Sequence, residues 1–170
     1  NEVFFDEVRV HDSHRLGDVN GGWTVALTTL MNERASIGGG GTGGGAGLTT
    51  PGRIHAMLEH FGLEDDKVAR DEVTRIYTNF VVAKWNNQRA LDKIKAGGLP
   101  GPEMSTAKLA LTNNLKAYAD WAANVLGPRI TADSGEWGTF AFSRLLCGVP
   151  GMRVAGGTDE VMRNIVAEQV

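Results

Sequence analysis

Hydrophobic and polar positions change their period twice along the chain. "EVFFDEVRV" alternates over part of its length and is rich in Val and Phe. That pattern predicts a strand from Glu2 to Val10. A lone strand cannot bury its own face, so the expected sheet partners lie outside this chain. "HDSHRLGDVNGG" is turn chemistry, and Asn20-Gly-Gly offers a helix start. From Trp23 the period becomes helical, with Trp23, Leu27, Leu30, Arg34 and Ile37 on one side.

"GGGGTGGGAG", Gly38 to Gly47, interrupts this pattern. It satisfies a dinucleotide-type glycine motif only because almost every residue is Gly. No predicted strand precedes it and no Lys-Ser/Thr follows, so it reads as a connector rather than a phosphate cradle. Pro51 suits the first turn of a short helix. A long helix is predicted from about Asp65 to Lys95, with Val73, Ile76, Tyr77, Phe80, Asn87, Leu91 and Ile94 on one side. "AGGLPGP" separates it from another, about Glu103 to Leu126, carrying Met104, Ala107, Leu111, Leu115, Tyr118, Ala122 and Val125. Beyond it the expected order is a loop ("GPRITADSGEW"), a short helix ("TFAFSRLL"), a loop ("VPGMRVAGG") and a last helix beginning near Thr158. Long helices with short connections predict an all-α fold, an antiparallel four-helix-type bundle, preceded by one strand. Trp85, Trp121 and Trp137 are expected to pack in its core or at an interface.

Composition narrows the function classes. The 170 residues make one large domain or a piece of a longer protein, and 42% hydrophobic content supports a real core. A net charge of -3 gives no basic funnel for nucleic acid. Cys147 is the single cysteine, so no internal disulfide can form. Without a CxxC or HExxH motif, the four scattered histidines point to no metal site. No apolar run reaches the roughly 20 residues of a membrane span. The abrupt start at Asn1, without an initiator methionine, suggests a fragment.

Three segments, read together and in order, resemble the acyl-CoA dehydrogenases. They are "NEVFFDEVRV" with "GDVNGGWTVALTTLMNERASIGG", then "GPEMSTAKL", then "RVAGGTDEVMRNIVAEQV". The resemblance implies that residues 1–19 end a middle β domain and linker, and that residues 20–170 form the C-terminal helical bundle domain. It further implies an FAD-dependent enzyme that removes two hydrogens from an acyl-CoA thioester to give the trans-2-enoyl-CoA. Electron-transfer flavoprotein would be the electron acceptor, and a homo- or hetero-tetramer in bacterial cytoplasm the setting. The fragment alone is expected to bind flavin poorly.

That reaction needs a desolvated, well-aimed base for a weak carbon acid. In much of the family the base is a Glu just before Gly-Thr, where this chain has Gly156. A second branch, of isovaleryl and long-chain type, carries it on the first helix of this domain, and there "MNERAS" resembles the pattern with Glu33 as the matching residue. Leu30, Glu33, Arg34 and Ile37 fall on one helix face, so an apolar stripe could raise the Glu33 pKa. The plainer alternative pairs Glu33 with a surface cation. Arg34 matches a family arginine near bound CoA, or else forms an internal salt bridge. Leu30 would line the substrate channel or merely pack.

The resemblance assigns FAD contacts to Thr158 and Glu160, and Gly157 allows close backbone approach. Ordinary capping explains Thr158, Asp159 and Glu160 equally well, but not the paired glycines. Two departures weaken the grip expected on a neighbouring subunit's FAD. "LEHFG" keeps Phe61-Gly62 but has Leu58 where relatives have Arg. "NVLGPRI" keeps only Asn124 and Gly127 of a second cofactor motif, with Pro128 replacing a Gly. A non-catalytic partner subunit and an acyl-CoA oxidase are the competing readings.

Overall fold

A computed structural model of the chain describes residues 2–38, 49–98 and 101–169, apart from the side chains of residues 31, 34–38 and 169. Six α-helices follow in order among these residues: α1 (Gly22–Gly38), α2 (Pro51–His60), α3 (Lys67–Lys95), α4 (Glu103–Leu126), α5 (Thr139–Val154) and α6 (Asp159–Gln169). Short 3-10 turns occupy Asp12–His14 and Gly127–Thr131. The fold is all-α, an antiparallel bundle. The connector over Gly39–Gly47 lies outside the described residues.

The strand expected over Glu2–Val10 belongs to a sheet whose other strands are expected outside this chain, and no such partner is among the described residues. That segment has no regular structure, and Val3, Phe4, Phe5, Val8 and Val10 are all exposed. A strand needs a partner ladder for its backbone groups, and no described residue supplies one.

Local chemistry sets the helix ends. Asp66 caps α3 by accepting from the amides of Val68 (2.8 Å) and Ala69 (2.9 Å), so the helix starts slightly later than its periodicity suggests. Thr50 caps α2, with Pro51 in the first turn. Lys93 donates to Glu103 at 2.6 Å, joining the end of α3 to the start of α4. This contact holds the Glu103 carboxyl below its ordinary range.

α4 is the centre of the bundle: α1, α3, α5, α6 and the Gly127–Thr131 turn all pack against it. Its inward residues include Met104, Ala107, Leu115, Tyr118, Ala122 and Leu126, all buried. Tyr118 stacks on Trp121 (5.9 Å between centroids) and meets Phe142 of α5 edge-on at 5.8 Å. Each such large apolar side chain contributes about 1.5–3 kcal/mol when fully buried.

Two expectations change here. α5 does not stop after "TFAFSRLL" but continues through Pro150 to Val154. Pro150 is exposed, while Phe142, Leu145 and Val149 keep the inner face of α5 on the core, so packing outweighs the lost backbone hydrogen bond. Among the tryptophans, Trp121 is 3% exposed and Trp137 half-buried, but Trp85 is 67% exposed. The inward line of α3 runs through Ile76, Phe80, Ala83, Asn87 and Ala90, and Trp85 falls roughly opposite it.

Candidate active site

Glu33 sits in the last part of α1, one turn beyond Leu30. Trp23, Leu27 and Leu30 make a line along the helix at spacings of four and three, and all three are exposed, Leu30 by 39%. Glu33 is exposed as well. The desolvation expected from its own helix face is therefore not supplied by the described residues. An apolar neighbour that is itself in water cannot exclude water from a carboxylate. Whatever desolvates Glu33 must cover this face from outside the described residues. The side chains of Arg34 and Ile37 lie outside the described residues, so neither partner proposed for Arg34 is decided.

The second group of candidates lies between α5 and α6. Gly156 has φ +67° and Gly157 φ +100°. L side chains rarely adopt such values, which accounts for glycine at both places. A Cβ on Gly157 would also lie 2.6 Å from Met162 Cε, and Met162 is fully buried. Thr158 then caps the helix: its hydroxyl accepts from the Val161 amide at 3.3 Å, and its carbonyl accepts from Met162 at 3.0 Å. Glu160 is exposed beside Arg163 (3.6 Å). Its own backbone amide and the Thr158 hydroxyl hold its carboxyl below the usual range.

The residue between them was misread as a simple cap. Asp159 is fully buried and faces inward. Lys108 of α4, also fully buried, donates to its Oδ1 at 2.8 Å, and the Thr112 hydroxyl reaches the same oxygen at 3.0 Å. Arg153 Nε, near the end of α5, donates to Oδ2 at 2.7 Å. Lys108 gives a further bond to the Arg153 carbonyl at 2.9 Å. Burial alone would raise the Asp159 pKa, but the bonds from Lys108, Arg153 and Thr112 overcome it and hold the carboxyl at about 2. A sequence signal existed: Lys108 falls four residues after Met104 and seven before Leu115, on the apolar stripe of α4.

Asn124 and Gly127 lie at the other end of α4. Asn124 is exposed, and Gly127 caps the helix with φ +56°. From Lys108 to Asn124 is about 24 Å along the axis at 1.5 Å per residue. The cofactor candidates thus form two groups, not one. Leu58 is 8% exposed and belongs to the core, so it presents no donor where an arginine was expected. Phe61 meets Trp137 edge-on at 6.2 Å and lies under the Arg129 guanidinium, 5.1 Å from its centroid. These residues, with His60 and Glu136, line an open cleft of about 470 Å³. Among the described residues no group of His, Cys, Asp and Glu could hold a metal ion.

Comparison with known proteins agrees with this architecture. Residues 20–170 match the family model "Acyl-CoA dehydrogenase, C-terminal domain". The chain is 28% identical to the acyl-CoA dehydrogenase FadE34 of Mycobacterium tuberculosis, covering 100% of this chain and 22% of the relative. It is also 28% identical to IpdE1 of the same organism, covering 100% of this chain and 43% of the relative. The human very long-chain specific acyl-CoA dehydrogenase is 25% identical, over 99% of this chain and 26% of the relative. The chain therefore spans less than half the length of each of these relatives. A crystal structure of an acyl-CoA dehydrogenase from Geobacillus kaustophilus superposes with a TM-score of 0.79 at 19% identity, over 98% of this chain and 43% of that one. A variant of the Tcur3481-Tcur3483 steroid ACAD superposes with a TM-score of 0.75 at 24% identity, over 96% and 43%. With a helical bundle of the matching fold and a family model spanning nearly all of it, this chain belongs to the acyl-CoA dehydrogenase family, in its C-terminal domain.

Proposed function

We propose that the chain is the C-terminal part of an FAD-dependent acyl-CoA dehydrogenase in which Glu33 takes the α-proton of the thioester. The observation that carries this reading is the bare backbone of Gly156 and Gly157 leading into the start of α6. That loop has no carboxylate at the position where many relatives keep the base. It does have two residues without side chains leading into a helix N-terminus, features suited to the carbonyl oxygens of a flavin ring. FAD, when bound, supplies the acceptor for the β-hydride. The chain's own residues do the rest. Glu33 removes the proton, Arg34 orients the CoA thioester, and Leu30 with the exposed face of α1 closes on the acyl chain and excludes water. Gly157, Thr158 and Glu160 hold the flavin.

Asn124 and Gly127, at the far end of α4 from Lys108 and about 24 Å along its axis, are better suited to a second flavin carried by a neighbouring subunit. That supports a tetramer, with electron-transfer flavoprotein as its oxidant. No helix among the described residues is long and apolar enough to cross a membrane. Exposed Leu27 and Leu30 offer apolar surface to an acyl chain. Relatives described as very long-chain specific and as a steroid ACAD make such substrates the ones to try first.

The test is Glu33→Gln in the full-length protein, assayed with a panel of acyl-CoA thioesters. A fall in turnover of about 100-fold or more, with flavin still bound, supports the assignment. Unchanged turnover removes it. One observation favours the second reading, a non-catalytic partner in a hetero-oligomer: Leu58 is buried apolar core where a flavin-binding arginine was expected. Native mass spectrometry giving fewer flavins than chains, with two chain types, would favour that reading.

A further inference from the structure

Asp159 opens α6, yet its carboxylate does not serve its own helix. Both oxygens are taken by residues from two other helices. This is an expensive way to dock a helix, because apolar side chains of similar volume would hold it as well or better. What the charged arrangement adds is direction. Lys108 binds Asp159 on the far side of the glycine loop and the Arg153 carbonyl on the near side, so one ammonium fixes both ends of the segment between them. That segment contains Gly156 and Gly157, the residues freest to move. Thr112, one turn along α4, adds an uncharged bond to the same carboxylate.

We propose that Lys108, Thr112 and Asp159 are positioning residues that clamp the Gly156–Thr158 loop and the start of α6 in the shape needed to hold the cofactor. The clamp touches neither substrate nor flavin; it acts through the loop. The proposal rests on the flavin reading above, and its test separates the two.

Full-length protein is prepared as wild type, Lys108→Met, Thr112→Val and Thr112→Ser. Amide hydrogen exchange over residues 155–162 reads the loop. Flavin absorbance per chain after dialysis, together with the shape of the visible band, reads the cofactor. Thr112→Val keeps the side-chain volume and loses the hydroxyl, whose acceptors are the Asp159 carboxylate at 3.0 Å and the Lys108 and Leu109 carbonyls of its own helix. Loss of the bond to a charged group should raise loop exchange about tenfold. Flavin retention should fall severalfold and the band should broaden, while exchange in α3 stays unchanged. Thr112→Ser restores the hydroxyl and should restore all three. Lys108→Met should act in the same direction and further; if it does not fold, the threonine pair decides alone. Unchanged loop exchange in Thr112→Val overturns the clamp. So does increased loop exchange with flavin fully retained, or a serine variant no better than the valine one. Wild-type protein that never binds flavin overturns the cofactor reading instead, and the exchange data then decide only whether the clamp holds the loop.

Discussion

Lys108 Nζ lies 2.8 Å from Asp159 Oδ1, with neither side chain exposed to solvent. The contact joins α4 to α6 across 51 positions of sequence. Arg153 approaches the other carboxylate oxygen at 2.7 Å but remains 37% exposed. The pair is thus dry on the α4 side and open to water on the α5 side.

Removing the acid should cost more than removing the base. Asp159→Ala leaves the Lys108 ammonium buried with only a carbonyl and should destabilise the protein by about 3–5 kcal/mol, the usual cost of orphaning a buried charge. Lys108→Met leaves Asp159 with Arg153 and Thr112, and should cost less. Urea unfolding of both variants checks the order; equal losses would argue against it.

Acid should loosen the C-terminal helix in a defined window. The folded Asp159 pKa, about 2, lies below its ordinary value of 3.8. The unfolded state therefore binds its proton first as pH falls. The contribution is fully present above pH 4, declines below that, and is gone once pH passes below the folded value. Melting temperatures measured from pH 5 to pH 2 should show a steeper decline for wild type than for Asp159→Asn.

Gly157→Ala should be harmful for two reasons that can be separated. Its φ of +100° strains any L residue, at a cost of about 1–3 kcal/mol. Its Cβ would also press on Met162 Cε. Adding Met162→Ala to Gly157→Ala relieves only the contact. Thermal melts should show the backbone share of the loss persisting in the double variant, after allowing for the loss from Met162→Ala alone.

Glu33→Gln should leave folding intact. An exposed side chain with no structural burden changes stability within about 0.5 kcal/mol. Calorimetry of the variant should overlay wild type, so that any loss of turnover belongs to chemistry.

The pattern of the sequence revealed what depends on neighbours a few residues apart. α4 starts and ends where its periodicity and flanking Gly-Pro residues place it, and the Pro51 start of α2 holds. Features set by distant partners were misread. Asp159 looks like a first-turn acid because Lys108 is far away in sequence. "VPGMRV" looks like a loop because Pro and Gly usually break helices, but Val149 and Leu145 are gripped by the core. The first ten residues alternate like a strand, yet a strand exists only with a partner. For the site, Glu33 could be singled out by its context in "MNERAS", whereas its exposure in this chain could not, since burial is a property of what covers the helix.

α4 packs against α1, α3, α5, α6 and the turn that follows it, and its exposed residues, Thr106, Asn113, Lys116, Ala117, Asp120 and Asn124, keep to one stripe. The broad buried side of such a helix has no room to absorb a new side chain, whereas α3 turns Trp85, Val82 and Tyr77 outward. Divergence among homologous sequences should therefore accumulate on the outer flank of α3 and be purged along the buried side of α4, and a saturation-mutagenesis map would display that asymmetry as an intolerant stripe recurring at helical spacing through the 24 residues of α4.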